Sequence, residues 1–142
     1  MYARASDLLQ RPLEMTITTS EVGGSFDPDI FGPPFWFTLH NAAVAYYDRP
    51  NDVVKSMMKS FIKSLPVVIP CVKCKEHAHT YLRHQNIDLA VQNRKNLFDF
   101  FLQFHNYVNA KGGRPAMSLK DAQELYGYFR QGGRGTMKIT YV

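Results

Sequence analysis

Pro70-Cys71-Val72-Lys73-Cys74 holds both cysteines of this 142-residue chain, and their spacing limits what the fold can rely on. A bridge across so short a loop cannot join distant segments, so the chain must be held by an apolar core. A sequence of single-domain length, 45% hydrophobic and 13% aromatic, is sufficient for one such core. The pair is also poised for chemistry. At a helix start, unpaired N–H groups and the macrodipole favour anions, and Lys73 and Lys75 stand beside the thiols. Both effects stabilise a thiolate, the species that attacks or leaves in disulfide exchange. The motif therefore predicts a local disulfide that opens and closes.

Other readings of the same residues stay open at this level. Cys71 and Cys74 could bind zinc with two of His77, His79 and His84, as part of a binding module for nucleic acid or protein. Five residues along one helix converge poorly on a tetrahedral centre, however, and no second CxxC completes a site. A thioredoxin-like arrangement would use Val67–Ile69 as the strand before the motif, but the further strands of a βαβ sheet are missing. Two inert buried thiols fit badly with the lysine-flanked setting.

Charge and hydropathy narrow the class. Seventeen Lys and Arg against twelve acids give a net charge of +5, without a block of like charge that would form a basic stripe. Nucleic acid is accordingly not expected as a partner. No apolar run approaches the ~18 residues of a membrane span, and the N-terminal residues lack a signal core, so an intracellular, cytoplasmic location is expected.

Periodicity predicts an all-α fold, a four-helix bundle with a short fifth helix. Residues 1–31, with no sustained period, read as an arm for dimerisation or partner docking. After Pro33-Pro34 a first helix carries Phe35, Trp36, Leu39, Ala43 and Tyr46 on one face. A second runs from Asp52 to Leu65 with Val54, Met57, Phe61 and Leu65 as its stripe, and Pro66 ends it. The third spans Cys71 to His84. The fourth begins after Asn93, turns Leu97, Phe101, Phe104 and Val108 inward and stops at Gly112-Gly113. Ser118 and Asp121 form a capping box for the fifth, with Ala122, Leu125, Tyr126 and Phe129 as its apolar side. Residues 132–142 read as a basic, glycine-containing tail, and residues 32–131 as the domain.

A dithiol needs an electron acceptor, and passing an electron pair onward is cofactor chemistry. No G-x-G-x-x-G fingerprint is present, so any flavin would sit between helices rather than on a dinucleotide-binding sheet. Gly32-x-x-x-Trp36-x-x-x-His40, then Tyr46, the Pro70–Cys74 motif, His105-Asn106-Tyr107-Val108-Asn109 and Gly113-Arg114-Pro115 together resemble the Erv/ALR family of FAD-linked sulfhydryl oxidases. The resemblance runs over residues 32 to 130. It implies a helical bundle holding FAD at one end, a homodimer, and formation of disulfides in client proteins with reduction of oxygen to hydrogen peroxide.

The resemblance also implies site roles. Cys74 is the flavin-proximal sulfur and Cys71 the outward one. Gly32, Trp36, His40 and Tyr46 belong to the first helical segment of the FAD pocket. His105, Asn106, Val108 and Asn109 form its flavin and adenine side, Lys111 and Arg114 meet the pyrophosphate, and Tyr126 completes the set. No metal ligand is implied. Three departures stand out. Arg114 replaces the usual lysine, and Pro33 occupies a position where the family often has arginine. Leu97 and Leu119 fall where relatives place a second cysteine pair, so an apolar contact is expected in place of that staple. With no shuttle cysteines in the sequence, clients must reach Cys71 directly or through a separate redox relay protein. Small single-domain members occur in large DNA viruses that assemble in the cytoplasm, and the same origin is expected here, placing the protein in the host cytoplasm or the virion.

Overall fold

The computed structural model describes residues 26–130, and every secondary-structure element among them is helical. In chain order these are α1 (Pro28–Val44), α2 (Asp52–Val68), α3 (Val72–Arg83), α4 (Ile87–Ala90), α5 (Arg94–Lys111) and α6 (Leu119–Leu125). The tail and the arm below residue 26 lie outside the described residues. Each helix start has a side chain that accepts an otherwise unpaired N–H: Asp27, Asn51, Cys71, Asn86, Asn93 and Ser118 in turn.

Helix α5 is the centre of the molecule. Leu97, Phe98, Phe101, Leu102 and Phe104 on it are each at most 2% exposed. It packs against α1, α3, α4 and α6, while α2 lies on α3 and α4. One clamp spans the end of the bundle at which α5 begins. Buried Arg94 donates from Nε to the Val44 carbonyl at 2.8 Å and from its guanidinium to the Tyr128 carbonyl, and it lies 3.9 Å over the Tyr128 ring.

Several boundaries differ from those read off the sequence. α1 begins at Pro28, inside the stretch taken as an arm, because Asp27 caps it and Pro28 takes N1, where no N–H is needed. Pro33 and Pro34 then lie within the helix, and Pro66 lies within α2 instead of ending it. These prolines cost local bonds that the apolar faces of the two helices offset through packing. The stripe of α2 is rotated. Val54, Ile62 and Leu65 are buried, but Met57 is 51% and Phe61 40% exposed. Of the apolar side expected for α6, Ala122 is buried and Tyr126, the C-cap, is half-buried, while Leu125 is exposed. Gly127, at φ +67°, ends the period, so Tyr128 is buried and Phe129 exposed. The four-residue α4 was not foreseen.

Leu97 and Leu119 do not form a buried pair, since Leu97 is fully buried and Leu119 is 41% exposed. The reason is register. Asn106 bonds to both backbone polar groups of Met117, which sets Met117 level with Asn106. Two residues of extended chain reach at most about 7 Å from there, against ~13.5 Å of helix between Asn106 and Leu97.

Candidate active site at the Cys71–Cys74 disulfide

Cys71 and Cys74 are joined in a disulfide, with Cα atoms 5.1 Å apart. Cys71 is the N-cap of α3, and its Sγ accepts the Cys74 backbone N–H at 3.2 Å. The redox bond thus stands at a positive helix end, as the motif predicted. Both residues are half-buried, and Cys74 also packs on the core.

The disulfide opens onto a cavity of about 350 Å³. Its walls come from α1 (Gly32, Phe35, Trp36), from α3, and from the end of α5 (Phe104, Val108, Lys111). A second cavity of about 550 Å³ lies beside it, lined by Phe37, His105, Asn109, Leu125 and Tyr126 among others. Gly32, Trp36 and Arg114 border both. Gly113 makes this junction possible. Its φ of +68° turns the chain after α5 so that the Arg114 N–H returns to the Asn109 carbonyl at 2.8 Å, and the Arg114 guanidinium reaches Asp29 at 2.7 Å.

Gly32 shows that the shape is built. It is buried, yet a Cβ there would meet no atom within 4 Å. A buried residue facing open space borders a cradle. Trp36 forms part of the wall, stacked on His105 with ring centres 4.2 Å apart and edge-on to Phe104 at 5.1 Å. Behind His105, fully buried His40 has Nε2 at 3.0 Å from His105 Nδ1 and stacks on Tyr126 at 4.1 Å. Burial, with His105 as the second cause, lowers the His40 pKa to about 3; burial, with the Arg114 charge as the second cause, lowers that of His105 to about 4. Both rings are therefore neutral at pH 7, so one donates to the other. His40 Nδ1 is buried with no hydrogen-bond partner among the described residues.

The expected site residues thus divide. Gly32, Trp36, Cys71, Cys74, Val108, Lys111 and Arg114 line the cavity at the disulfide, and His105, Asn109 and Tyr126 line the adjoining one. His40 supports the wall from behind. Two residues serve elsewhere. Tyr46 borders neither cavity; its hydroxyl donates to the Val91 carbonyl at 2.7 Å, beside the opposite end of α5. Burial raises its pKa to about 12, which keeps that donor protonated. Asn106 also borders neither cavity, its amide being occupied by Met117. Sequence reading missed Phe31, Phe35 and His77 as cavity walls, although Phe31, Gly32, Phe35 and Trp36 fall at one helical spacing.

The zinc alternative lacks support. The cysteines bond each other, His79 and His84 are exposed, and no group of three or more His, Cys, Asp or Glu among the described residues could hold a metal ion. No helix among them is long and apolar enough to cross a membrane.

The sequence matches the Erv1/Alr family over residues 33–127. The chain belongs to that family. It is 40% identical to protein 096R of Invertebrate iridescent virus 3, over 72% of this chain and 69% of that one. Identity to the FAD-linked sulfhydryl oxidase of African swine fever virus (isolate Pig/Kenya/KEN-50/1950) is 29%, over 68% of this chain and 79% of that protein. Among solved structures, the yeast Erv1 core superposes with a TM-score of 0.67 at 26% identity, covering 74% of this chain and 87% of its own. The FAD-binding domain of Erv1 from Saccharomyces cerevisiae gives 0.65 at 27% identity, covering 70% and 93%. This Erv1/Alr chain therefore combines the family's helical core with a disulfide set on a two-lobed, aromatic-walled cavity.

Proposed function

We propose that the protein is an FAD-linked sulfhydryl oxidase that makes disulfides in client proteins. The observation that carries this reading is the Cys71–Cys74 disulfide facing the same cavity as Gly32 and Trp36. FAD has two flat ring systems joined by an anionic diphosphate. Two adjoining cavities with aromatic walls fit that shape, and the Gly32 cradle leaves room where they meet. Trp36, Val108 and Cys74 would hold one ring and His105, Asn109 and Tyr126 the other, with Lys111 and Arg114 toward the diphosphate.

The thiol chemistry is carried by the chain's own sulfurs. A client thiolate attacks Cys71 Sγ, breaking the bond to Cys74 and forming a mixed disulfide; Cys74 leaves as a thiolate. A second client thiolate attacks the client sulfur of that bond, so the client departs with a disulfide and Cys71 becomes a thiolate. Two electrons now reside on the enzyme's dithiol. The Cys74 N–H at Cys71 Sγ and the positive end of α3 stabilise Cys71 as the leaving group. Bound beside Cys74, FAD would supply the two-electron acceptor that lets the dithiol return to the Cys71–Cys74 disulfide, with oxygen as the final acceptor and hydrogen peroxide as the product. The reading extends to a homodimer, to direct or relay-assisted access of clients, and to a host-cytoplasmic or virion setting, which the viral relatives favour.

Oxygen consumption with dithiothreitol tests the reading. The purified chain should be yellow and consume oxygen, and Cys74→Ser should retain FAD while losing turnover. A colourless protein, or unchanged turnover in the variant, would overturn it.

A further inference from the structure

A separate concavity of about 470 Å³ lies on the α2–α3 face, closed below by α4. Two lines of side chains border it, with Lys59, Lys63 and Arg83 as its cations. Lys59 and Lys63 are one turn apart on α2, on the line that continues to Val67, while His79 and Arg83 are one turn apart on α3, on the line that begins at Cys71 and Lys75. The two lines meet at the top, where Lys75 Nζ approaches the Val67 carbonyl at 3.4 Å. Asp88, paired with Lys59, is the single carboxylate among the lining residues. Lys63 and Arg83 are exposed and have no carboxylate within ion-pair distance among the described residues. The concavity thus carries a net positive charge, three cations against Asp88, and the α3 line that borders it leads along the helix to Cys71.

We propose that this groove docks an acidic segment of the client polypeptide and delivers its cysteine to Cys71. The inference rests on the oxidase reading and adds a substrate preference to it. Length supports the match. Eight residues of helix separate Cys71 from His79, about 12 Å, which an extended peptide covers in about four residues. The preferred client therefore carries Asp or Glu about three to five positions from the reacting cysteine. A polypeptide fits better than a nucleic acid because the groove leads to a disulfide, and only a thiol-bearing ligand gains from being brought there. Val67 and Val72, 75% and 71% exposed, add apolar contact beside the sulfur.

The test uses the FAD-loaded full chain and two dithiol peptides of equal length, one with Asp and Glu at those positions and one with Gln. The expected result at low salt is a kcat/KM about tenfold higher for the acidic peptide, with the preference vanishing as ionic strength approaches ~1 M. Lys63→Glu/Arg83→Glu, changed at two exposed positions away from the sulfurs, should abolish the preference while leaving dithiothreitol oxidation unchanged. Equal rates for the two peptides, or a preference that persists in the double variant, overturns the groove while ordinary dithiothreitol turnover leaves the oxidase reading intact. Absence of dithiothreitol turnover in the wild type overturns the oxidase reading and the groove with it. Stronger competition by a single-stranded DNA oligonucleotide than by a thiol-free acidic peptide of equal charge overturns the polypeptide as occupant.

Discussion

Replacing Gly32 separates the cradle from the fold, because a small and a large side chain there act on different quantities. Gly32 lies inside α1, is buried, and would offer a Cβ nothing but open space within 4 Å. Alanine there should leave the flavin-free protein close to wild-type stability, since its gain of about 0.8–1.0 kcal/mol over glycine in a helix interior is offset by crowding of its Cβ against the Cδ of Pro33. For a fold of about this size the two opposing effects should keep Tm within about 4 °C of wild type. Leucine projects a branched side chain into the space that FAD would take. Forcing apart a close-packed contact costs about 1–3 kcal/mol, or a roughly 5- to 150-fold loss of FAD affinity. Thermal melts of flavin-free protein and a fluorescence titration with FAD measure the two effects. A Gly32→Ala melt far below wild type, by about 10 °C or more, or a Gly32→Leu protein that binds FAD as tightly as wild type, refutes the cradle.

Acidification should act through the buried histidines. Unfolded histidine binds a proton near pH 6.5, whereas His40 and His105 in the fold do so only near about 3 and about 4. Below pH 6.5 the unfolded chain holds more protons, so stability should fall from there toward about pH 4, by at most about 1.4 kcal/mol per pH unit for each ring. Denaturant midpoints between pH 7 and 5 check this, and a flat wild-type profile, or an identical slope in His40→Phe/His105→Phe, counts against it. Asn106→Ala removes both bonds to Met117 and should cost about 1–3 kcal/mol. Because the loop it holds also carries Arg114, flavin retention on a desalting column should fall in parallel; unchanged retention would separate the loop from the site.

Much of the fold was legible because its signals are local. Asn93 and Ser118 cap helices by reaching backbone N–H groups within three residues, and of the stripe on α5 Leu97, Phe101 and Phe104 are buried and Val108 is half-buried against the core. Prolines misled for a physical reason: their effect on a helix is local, whereas burial of Trp36, Leu39 and Leu65 is a tertiary gain that overrides it. The α2 stripe was misplaced because Met57, Met58, Phe61 and Ile62 offer two overlapping apolar lines, and sequence does not say which one meets a neighbour.

By itself, the sequence determined the helical class, the reactive pair and its place at a helix start, since spacing, capping and the dipole act over a few residues. Only the tertiary structure decided which polar residues share a cavity. His40 meets His105 across 65 positions and Arg114 reaches Asp29 across 85, while Tyr46 and Asn106, from the same motifs, are bonded elsewhere. The register between α5 and the chain that folds back beside it likewise separated Leu97 from Leu119. Contacts of that range follow from how helices stack around the phenylalanines of α5, and no local pattern encodes the outcome.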